Sequence, residues 1–246
     1  MLSARQQHCL KGIGISRWVE RAKIAEKTIE NIETVAVTRE IPAPEKPSVE
    51  IPEVKPTVFD IPLDNWDAIN ESIHQCQACE LARHCTQKVA GVGKQTAELM
   101  IIGEGPGHDE DIKGEPFVGR SGQLLDKMLA TIGIDRTQIF ITNIVKCRPP
   151  NNRDPHVDEV QACNRYLQAQ IQQIKPKVIL SVGRISAHSL LHSNDPVGRL
   201  SKQMHTLPGS DIPIKVTYHP AYLLRNPSAK AIAWQDLKTL HRILHQ

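Results

Sequence analysis

Glycines and carboxylates are concentrated in residues 103–111 (GEGPGHDED), which hold three glycines and four acidic residues. Glycines that follow an apolar run usually let the backbone turn closely around a phosphate. Carboxylates at the same place would repel that anion, and the G-x-G-x-x-G pattern fails because Gly105 is followed by Pro106, Gly107 and His108. The segment therefore does not fit a phosphate-binding loop, and these residues alone leave open which ligand would require both glycine flexibility and carboxylates.

Cysteine residues form a second group of candidate ligands. Cys76 and Cys79 make a C-x2-C pair, Cys147 ends an apolar run, and Cys163 lies within a helical pattern. Four thiolates brought together by a fold suit an iron–sulfur cluster or a structural zinc ion, and soft ligands alone do not choose between the two. The alternative is an incidental C-x2-C pair with two ordinary buried cysteines.

Composition restricts the class of protein. The 246 residues suffice for one well-buried domain and a further segment. A net charge of +3 provides no global basic field, so contact with nucleic acid would depend on a local patch. No apolar run reaches the roughly 20 residues needed to span a bilayer, and the N-terminus lacks the core of a signal peptide. We expect a cytoplasmic protein without membrane contact, in which Cys9 and Cys85 stay free thiols.

The elements that must position these groups alternate along the chain from about residue 64. Strand-like runs are ELMIIG, QIFITNIVKC, PKVILSVG and IPIKVTYHP, and the helical patterns are SGQLLDKMLATIGI, DEVQACNRYLQAQIQQI, RISAHSLL and IAWQDLKTLHRILH. The alternation predicts a three-layer α/β/α sandwich with a central, mainly parallel four-stranded sheet. Ligands bind at the carboxyl ends of such strands. The polar segments 103–111, 142–154 and 219–227 should therefore converge on one site.

Two further segments precede this domain, which we place at residues 64–246. Residues 1–40 carry a mostly charged helical pattern, and residues 41–63 place a proline every few positions. The prolines deny regular hydrogen bonding and predict an extended linker. A short amphipathic peptide on such a tether is a common way to dock on a partner. A poorly ordered tail is the alternative interpretation of this helical or disordered extension.

The motifs together resemble one family. GEGPGHDEDIKGEPFVGRSGQLLDKML, ITNIVKCRPPNNRDP and HPAYLLRNP are similar, in this order, to the motifs of family 4, the thermostable-type iron–sulfur group of the uracil-DNA glycosylase superfamily. The resemblance extends from about Cys76 to the C-terminus. It implies a monofunctional hydrolase that flips uracil out of single- or double-stranded DNA and leaves an abasic site for base excision repair. The subgroup that traps its product carries an inserted basic loop, which HDEDIKGEPFVG lacks.

The same resemblance implies a cofactor and three catalytic residues. A structural 4Fe–4S cluster would be held by Cys76, Cys79, Cys147 and Cys163. Uracil excision develops a sugar cation and a uracil anion, which require nearby negative charge, a positioned water and a hydrogen-bond donor. Glu104 is expected to hold the water, Asn143 to pair with uracil N3–H and O4, and His219 to donate to O2. Cytosine presents the opposite pattern to the amide and should be rejected.

Other residues are predicted to contact the flipped base. Phe117 should stack on it, Glu110 should close off the C5 position where thymine carries a methyl group, and Asn152 is a second candidate amide. The backbone of the glycine-rich loop should approach the nucleotide at Gly103, Gly105, Pro106 and Gly107.

Contacts with the rest of the DNA are predicted from two segments. Pro220 should stiffen a turn, Leu223 or Leu224 should wedge into the base stack, and Arg225 should meet a phosphate. Further phosphate contacts are expected from the basic loop residues Lys146, Arg148 and Arg153.

Two alternatives of other classes stay open. A metal-dependent nuclease could use Asp109, Glu110 and Asp111, and a binding protein without enzymatic activity could use the same fold. Acidic residues at the start of a helix are also simply favourable to the helix dipole.

A second resemblance concerns the N-terminus. Residues 1–30 are similar to the N-terminal peptide of the psi subunit of the bacterial clamp loader at Leu10, Gly14, Ile15 and Trp18. The resemblance implies a replication partner. No heptad pattern is visible, and we expect a monomer.

Overall fold

The computed structural model describes residues 65–245. The predicted N-terminal helical segment (1–40), its docking peptide and the predicted linker (41–63) lie outside these residues. The domain boundaries, the clamp-loader partner and the monomeric state therefore stay predictions. Within residues 65–245, no helix combines the length and apolar character needed to cross a bilayer.

A six-stranded mixed sheet forms the centre of the described domain, with the strand order β1-β3-β2-β4-β6-β5. The strands are β1 (Val92–Gly93), β2 (Leu99–Gly103), β3 (Phe140–Asn143), β4 (Val178–Val182), β5 (Met204–Thr206) and β6 (Pro213–Thr217). The four central strands are parallel, which confirms the predicted sheet, whereas β1 and β5 pair antiparallel at the two edges. These edge strands are short and partly exposed, so they leave no apolar run that sequence analysis could detect.

Helices cover both faces of this sheet. They are α1 (Trp66–His74), α2 (Leu81–His84), α3 (His108–Lys113), α4 (Arg120–Ala130), α5 (Val157–Ile174), α6 (Arg184–Leu191), α7 (Val197–Leu200), α8 (Pro220–Arg225) and α9 (Lys230–Leu244). Alternate residues of β2 point to opposite layers. Met100 and Ile102 pack in the core with α1 and α5, whereas Leu99 and Ile101 pack with α4 and α9. The three-layer α/β/α sandwich is therefore confirmed.

The central strands are buried on both faces, and this burial determines their pattern of apolar residues in the sequence. Every residue of β2 and β4 is buried. Parallel strands covered by helices on both faces appear as continuous apolar runs rather than alternating patterns. In the register of β2 with β3, Gly103 lies opposite Asn143, so the two strands end together.

Two predicted boundaries are wrong. The second predicted strand ends at Asn143 rather than at Cys147. The residue pairing of β3 with β2 stops at Asn143, and the Ile144 and Val145 N–H groups that follow donate to the carbonyls of Gly103 and Glu104. Helix α4 ends at Ala130 rather than at Gly133, which adopts a left-handed φ of 72° in the turn that follows. Short helices α3 and α8 were not predicted, since six residues show too little periodicity.

Candidate functional site

A cleft opens where β2, β3, β4 and β6 end, as the predicted topology requires. Its walls include most of the predicted site residues: Glu104, Gly105, Pro106, Gly107, Glu110, Phe117, Asn143, Asn152, Arg153, His219 and Arg225. They come from segments far apart in the chain, and the shared ends of the strands bring them together. The cleft also includes Asp154, Arg184, Tyr218 and Tyr222, which sequence analysis missed.

Asn143 ends β3 with a polar atom that lacks a partner. Its side chain is buried at 2% exposure, and within residues 65–245 its Oδ1 accepts no hydrogen bond. Buried polar atoms are rarely left unpaired, because doing so costs about 1–3 kcal/mol. The orphaned Oδ1 therefore indicates a ligand that donates a hydrogen bond at this point.

Gly103 lies directly beneath this amide. A Cβ atom at Gly103 would lie 2.5 Å from Asn143 Oδ1 and 2.6 Å from Phe117 Cζ, both closer than real contacts allow. The absence of a side chain thus lets the amide and the phenyl ring approach the same point. Gly103 thus makes room for the two neighbouring side chains, and the predicted approach of its backbone to the nucleotide stays a prediction.

Phe117 is held in an uncommon backbone conformation beside His219. Its φ is 53°, and its ring stacks on the imidazole with the centroids 5.6 Å apart. Arg136 donates hydrogen bonds to the carbonyls of Pro116 and Phe117. A Cβ at Gly122 would lie 1.8 Å from the Phe117 carbonyl oxygen. Strained residues of this kind persist where the surrounding structure fixes them, often at ligand sites.

His219 caps helix α8 and presents one defined ring nitrogen to the cleft. The backbone N–H of Ala221 donates to Nδ1 at 3.1 Å. Burial lowers the pKa of the His219 imidazole to about 4, with Arg225 acting in the same direction and Glu110 opposing it. The ring is therefore neutral at pH 7, and its single proton is on Nε2. His219 can act there as a neutral hydrogen-bond donor.

Glu104 lies beside a second carboxylate. Burial raises the pKa of the Glu104 carboxyl to about 7, the neighbouring Asp154 charge acts in the same direction, and Arg184 opposes both. Asp154 also forms a salt bridge with Arg184. Neither residue was predicted, because an aspartate in a loop and an arginine at the start of a helix carry no distinctive spacing.

Glu110 is already occupied by the protein. Its carboxylate accepts backbone N–H groups from Gly107 at 3.2 Å, Val118 at 2.9 Å and Gly119 at 3.0 Å. Glu110 nonetheless lines the cleft, so its predicted place at the base C5 position stays a prediction. Glu110 ties the glycine-rich loop to the segment that follows Phe117, and so holds the stacking ring in place.

The acidic segment also lacks the features of a metal-dependent nuclease. Asp111 is buried and accepts hydrogen bonds from Thr86 N–H and Oγ1, both at 2.9 Å. Within residues 65–245, no three His, Cys, Asp or Glu side chains are arranged to hold a single metal ion. Of the three carboxylates that such a nuclease would use, Glu110 and Asp111 are instead engaged within the protein.

Two of the predicted phosphate ligands have other partners. Lys146 is 2% exposed, and its Nζ donates to Thr142 Oγ1 at 2.7 Å, to the Asn143 carbonyl at 2.8 Å and to Gln170 Oε1 at 2.8 Å. The prediction for Lys146 is therefore wrong, since a buried ammonium cannot reach DNA. It fixes the turn that carries Asn143.

Arg153 is also engaged within the protein. It donates two hydrogen bonds, at 2.9 and 2.7 Å, to the buried carboxylate of Glu159. It braces the start of α5, and because Arg153 also lines the cleft, its predicted phosphate contact stays a prediction. Arg148 donates to Asn152 Oδ1 at 2.8 Å and has an exposed guanidinium group, so it keeps its predicted position at the surface.

Helix α8 distinguishes the two candidate wedge residues. Leu223 is fully buried, whereas Leu224 is 38% exposed. Only Leu224 of the pair can reach a base stack, and the prediction for Leu223 is corrected accordingly. Pro220 is buried at the first position of the helix, where its fixed φ is compatible with the fold.

The four predicted cysteine ligands lie around one pocket between α1 and α5: Cys76, Cys79, Cys147 and Cys163. The Lys146 N–H donates to Cys163 Sγ at 3.3 Å, and the Ala78 N–H donates to Cys76 Sγ at 3.5 Å. Cys85 lies outside this set, and its thiol is within hydrogen-bond reach of Cys147. Donors aimed at sulfur are a feature of thiolate-bound clusters.

Comparison with known proteins identifies the family of this chain. The model of the family described as "Uracil DNA glycosylase superfamily" matches residues 90–238. The type-4 uracil-DNA glycosylase of Saccharolobus solfataricus is 41% identical over 189 residues, covering 74% of this chain and 88% of the relative. Those of Archaeoglobus fulgidus and Thermotoga maritima are each 40% identical, covering 72% and 70% of this chain and 92% and 91% of the relatives.

Proposed function

Because this chain belongs to the uracil-DNA glycosylase superfamily, and within it to the type-4 enzymes, we propose that it removes uracil from DNA by hydrolysing the N-glycosidic bond. One observation carries the proposal for the site. The orphaned Oδ1 of Asn143 lies in a cleft that also contains the Phe117 ring and the neutral His219 imidazole. These are the groups required to hold a flipped uracil base.

Recognition of the base rests on the Asn143 amide. Its Oδ1 accepts uracil N3–H, and its Nδ2 donates to O4. Cytosine has an unprotonated N3 and an amino group at position 4, so both hydrogen bonds would be lost and the amide would be left unpaired. The Phe117 ring, fixed by the carbonyl contacts of Arg136, stacks on the face of the base, for which about 1–3 kcal/mol is typical.

Bond cleavage rests on His219 and Glu104. As the bond between C1′ and N1 breaks, its electron pair leaves with uracil, and His219 Nε2–H donates to the negative charge on O2. The ionised Glu104 carboxylate stabilises the sugar cation and holds a water molecule. That water adds to C1′, and its proton passes to Glu104, whose pKa of about 7 allows it to accept the proton.

Contact with duplex DNA rests on Leu224, with Arg148 and Arg225 near phosphates. Leu224→Ala is expected to lower kcat/KM on double-stranded substrate by about tenfold, because the space left by the flipped base is no longer filled. Single-stranded substrate has no stack to fill and should be cleaved as by the wild type. Ile232→Ala is the matched control, since Ile232 is an exposed aliphatic residue on α9. Equal losses on both substrates would contradict the wedge role.

A structural 4Fe–4S cluster bound to Cys76, Cys79, Cys147 and Cys163 is the second part of the proposal. The donor set is all thiolate, the four residues share one pocket, and backbone N–H groups are aimed at two of the sulfurs. A cluster binds each thiolate through a different iron, so its ligands need not converge on a single point. When bound, it would cross-link α1, α5 and the loop that follows Asn143.

Cys147→Ser is expected to abolish the brown colour and the iron content of about four atoms per chain, and to lower the melting temperature. Cys85→Ser is the matched control, because Cys85 contacts Cys147 but lies outside the four-cysteine pocket. It should retain both colour and iron. The cluster assignment would fail if Cys147→Ser kept full iron content, whatever its activity.

The rival functions are separated by one assay. An oligonucleotide with a single uracil is incubated in EDTA and then treated with hot alkali, which breaks the strand only at abasic sites. Cleavage at the uracil position is expected without any divalent ion. Strand breaks that require added Mg²⁺ and no alkali would indicate a nuclease, and binding without cleavage would indicate a binding protein.

A further inference from the structure

Glu104 lies in the cleft beside a second carboxylate, that of Asp154, and beside the guanidinium group of Arg184. Glu104 follows β2, and Arg184 begins α6 directly after the neighbouring strand β4. Gly183 precedes Arg184 with a left-handed φ of 92°, which turns the chain sharply at the end of the strand. Asp154 enters from the loop before α5 and forms its salt bridge with Arg184. The three side chains thus form a group of two carboxyls and one guanidinium cation.

Asp154 also lies within hydrogen-bond reach of the Glu104 carboxyl. Two adjacent carboxylates favour retention of a proton between them, because both cannot ionise without repulsion. A cation bound to one of them reduces this repulsion. Asp154 and Arg184 therefore act on Glu104 in opposite directions.

We propose that Asp154 and Arg184 are positioning residues that set the protonation state of Glu104, and with it the pH range in which the enzyme hydrolyses uracil-containing DNA. The inference rests on the proposed function of Glu104 as the carboxylate facing the sugar cation. Neither residue needs to touch the substrate. Both side chains are more than half exposed, so replacing either one leaves the core intact.

Other charged groups of the cleft do not take this role: Glu110, Arg153, His219 and Arg225. Glu110 accepts three backbone N–H groups, and Arg153 is bound to Glu159. His219 is neutral above about pH 4, and Arg225 acts on His219. The charges that act on Glu104 are those of Asp154 and Arg184.

The direction of each effect follows from the charge of Glu104. A protonated Glu104 is neutral and stabilises no cation, so the rate falls as the pH drops through the pKa of this residue. Burial is the largest cause of its raised pKa, the Asp154 charge adds to it, and the Arg184 charge opposes it. Removing the Asp154 charge should extend activity to lower pH, and removing the Arg184 charge should restrict activity to higher pH.

The test is the single-turnover rate of uracil release between about pH 5 and 9, a range that avoids titration of His219. Asp154→Asn is expected to move the acid limb about one pH unit lower, and Arg184→Gln about one unit higher. Asp195→Asn is the matched control, because it breaks a comparable exposed pair with Arg199 outside the cleft. Its profile should coincide with that of the wild type.

The outcomes separate this inference from the proposed function. The inference would be overturned if the acid limb of the pH–rate profile stayed in place in both variants, or moved in the same direction in both. The proposed glycosylase function would still hold in that case if the wild type released uracil. A purely structural role would lower the rate equally at every pH, which would also overturn the inference. Failure of the wild type to release uracil at any pH would instead refute the proposed function.

Discussion

Asn143→Ala is expected to lower kcat/KM for uracil excision by about 1000-fold, since two hydrogen bonds to the base are lost at roughly 2 kcal/mol each. The structure provides the physical reason. Asn143 Oδ1 is buried without a partner within residues 65–245, so its hydrogen bond to the base replaces no existing protein contact. Steady-state kinetics on a single-uracil oligonucleotide would measure the loss.

Two controls make this result specific. Asn194→Ala removes an exposed asparagine that does not line the cleft and should leave the kinetics unchanged. The melting temperature of Asn143→Ala should stay at or above that of the wild type, because the substitution removes an unsatisfied polar atom. A loss of less than about tenfold with intact folding would show that another group recognises the base.

His219→Ala is expected to lower kcat by about 100- to 1000-fold with little change in KM. The hydrogen bond from Nε2 to O2 strengthens only as negative charge develops, so it contributes to the transition state more than to substrate binding. A substrate carrying 5-fluorouracil should lose less, because this base leaves more easily as an anion and needs less stabilisation.

The same residue predicts a particular pH behaviour. Since the pKa of His219 is about 4, the ring is already neutral across the working range. The pH–rate profile of His219→Ala between about pH 5 and 9 should therefore have the same shape as that of the wild type. A pH limb that is present in the wild type and absent in this variant would mean that the imidazolium is the active form. His245→Ala, at an exposed histidine, is the control for general effects of losing an imidazole.

The sheet and the convergence of the site could be predicted because parallel, doubly covered strands leave apolar runs. Residues that end such runs meet at one edge of the sheet, which places Asn143 and His219 together without knowledge of any contact. The glycine-rich loop after β2 was recognisable for the same reason. Its backbone follows the end of a buried strand, and only a glycine at position 103 leaves room for the neighbouring amide and ring.

A partner distant in the sequence decided the prediction that failed for Lys146. Lys146 lies in a basic loop and suggests a phosphate contact. In the folded chain its ammonium group is buried and donates to Gln170 on α5, 24 residues away. Nothing in the spacing of the charges reveals that a lysine will be buried. The sequence therefore shows which residues of a loop are cationic, whereas packing in the folded chain decides which of them can contact DNA.

The choice between two adjacent leucines could not be made from the sequence, because it depends on which side of a short helix each one occupies. Leu223 and Leu224 are adjacent, and a helix of six residues has too short a pattern to show which one faces the core. The pair of Asp154 and Arg184 was missed for a related reason. The whole of α5 and β4 lies between them in the chain, and both reach Glu104 because β2 is flanked by β3, which precedes the Asp154 loop, and by β4, which precedes Arg184.

The measurement that tests the central claim most directly is detection of the free base. Wild-type protein is incubated in EDTA with duplex DNA containing one uracil, and the products are separated without alkali and identified by mass spectrometry. The structure predicts stoichiometric free uracil and an unbroken strand that carries one abasic site, with neither product from Asn143→Ala in the same time. Intact substrate, or broken strands that retain their uracil, would contradict the account.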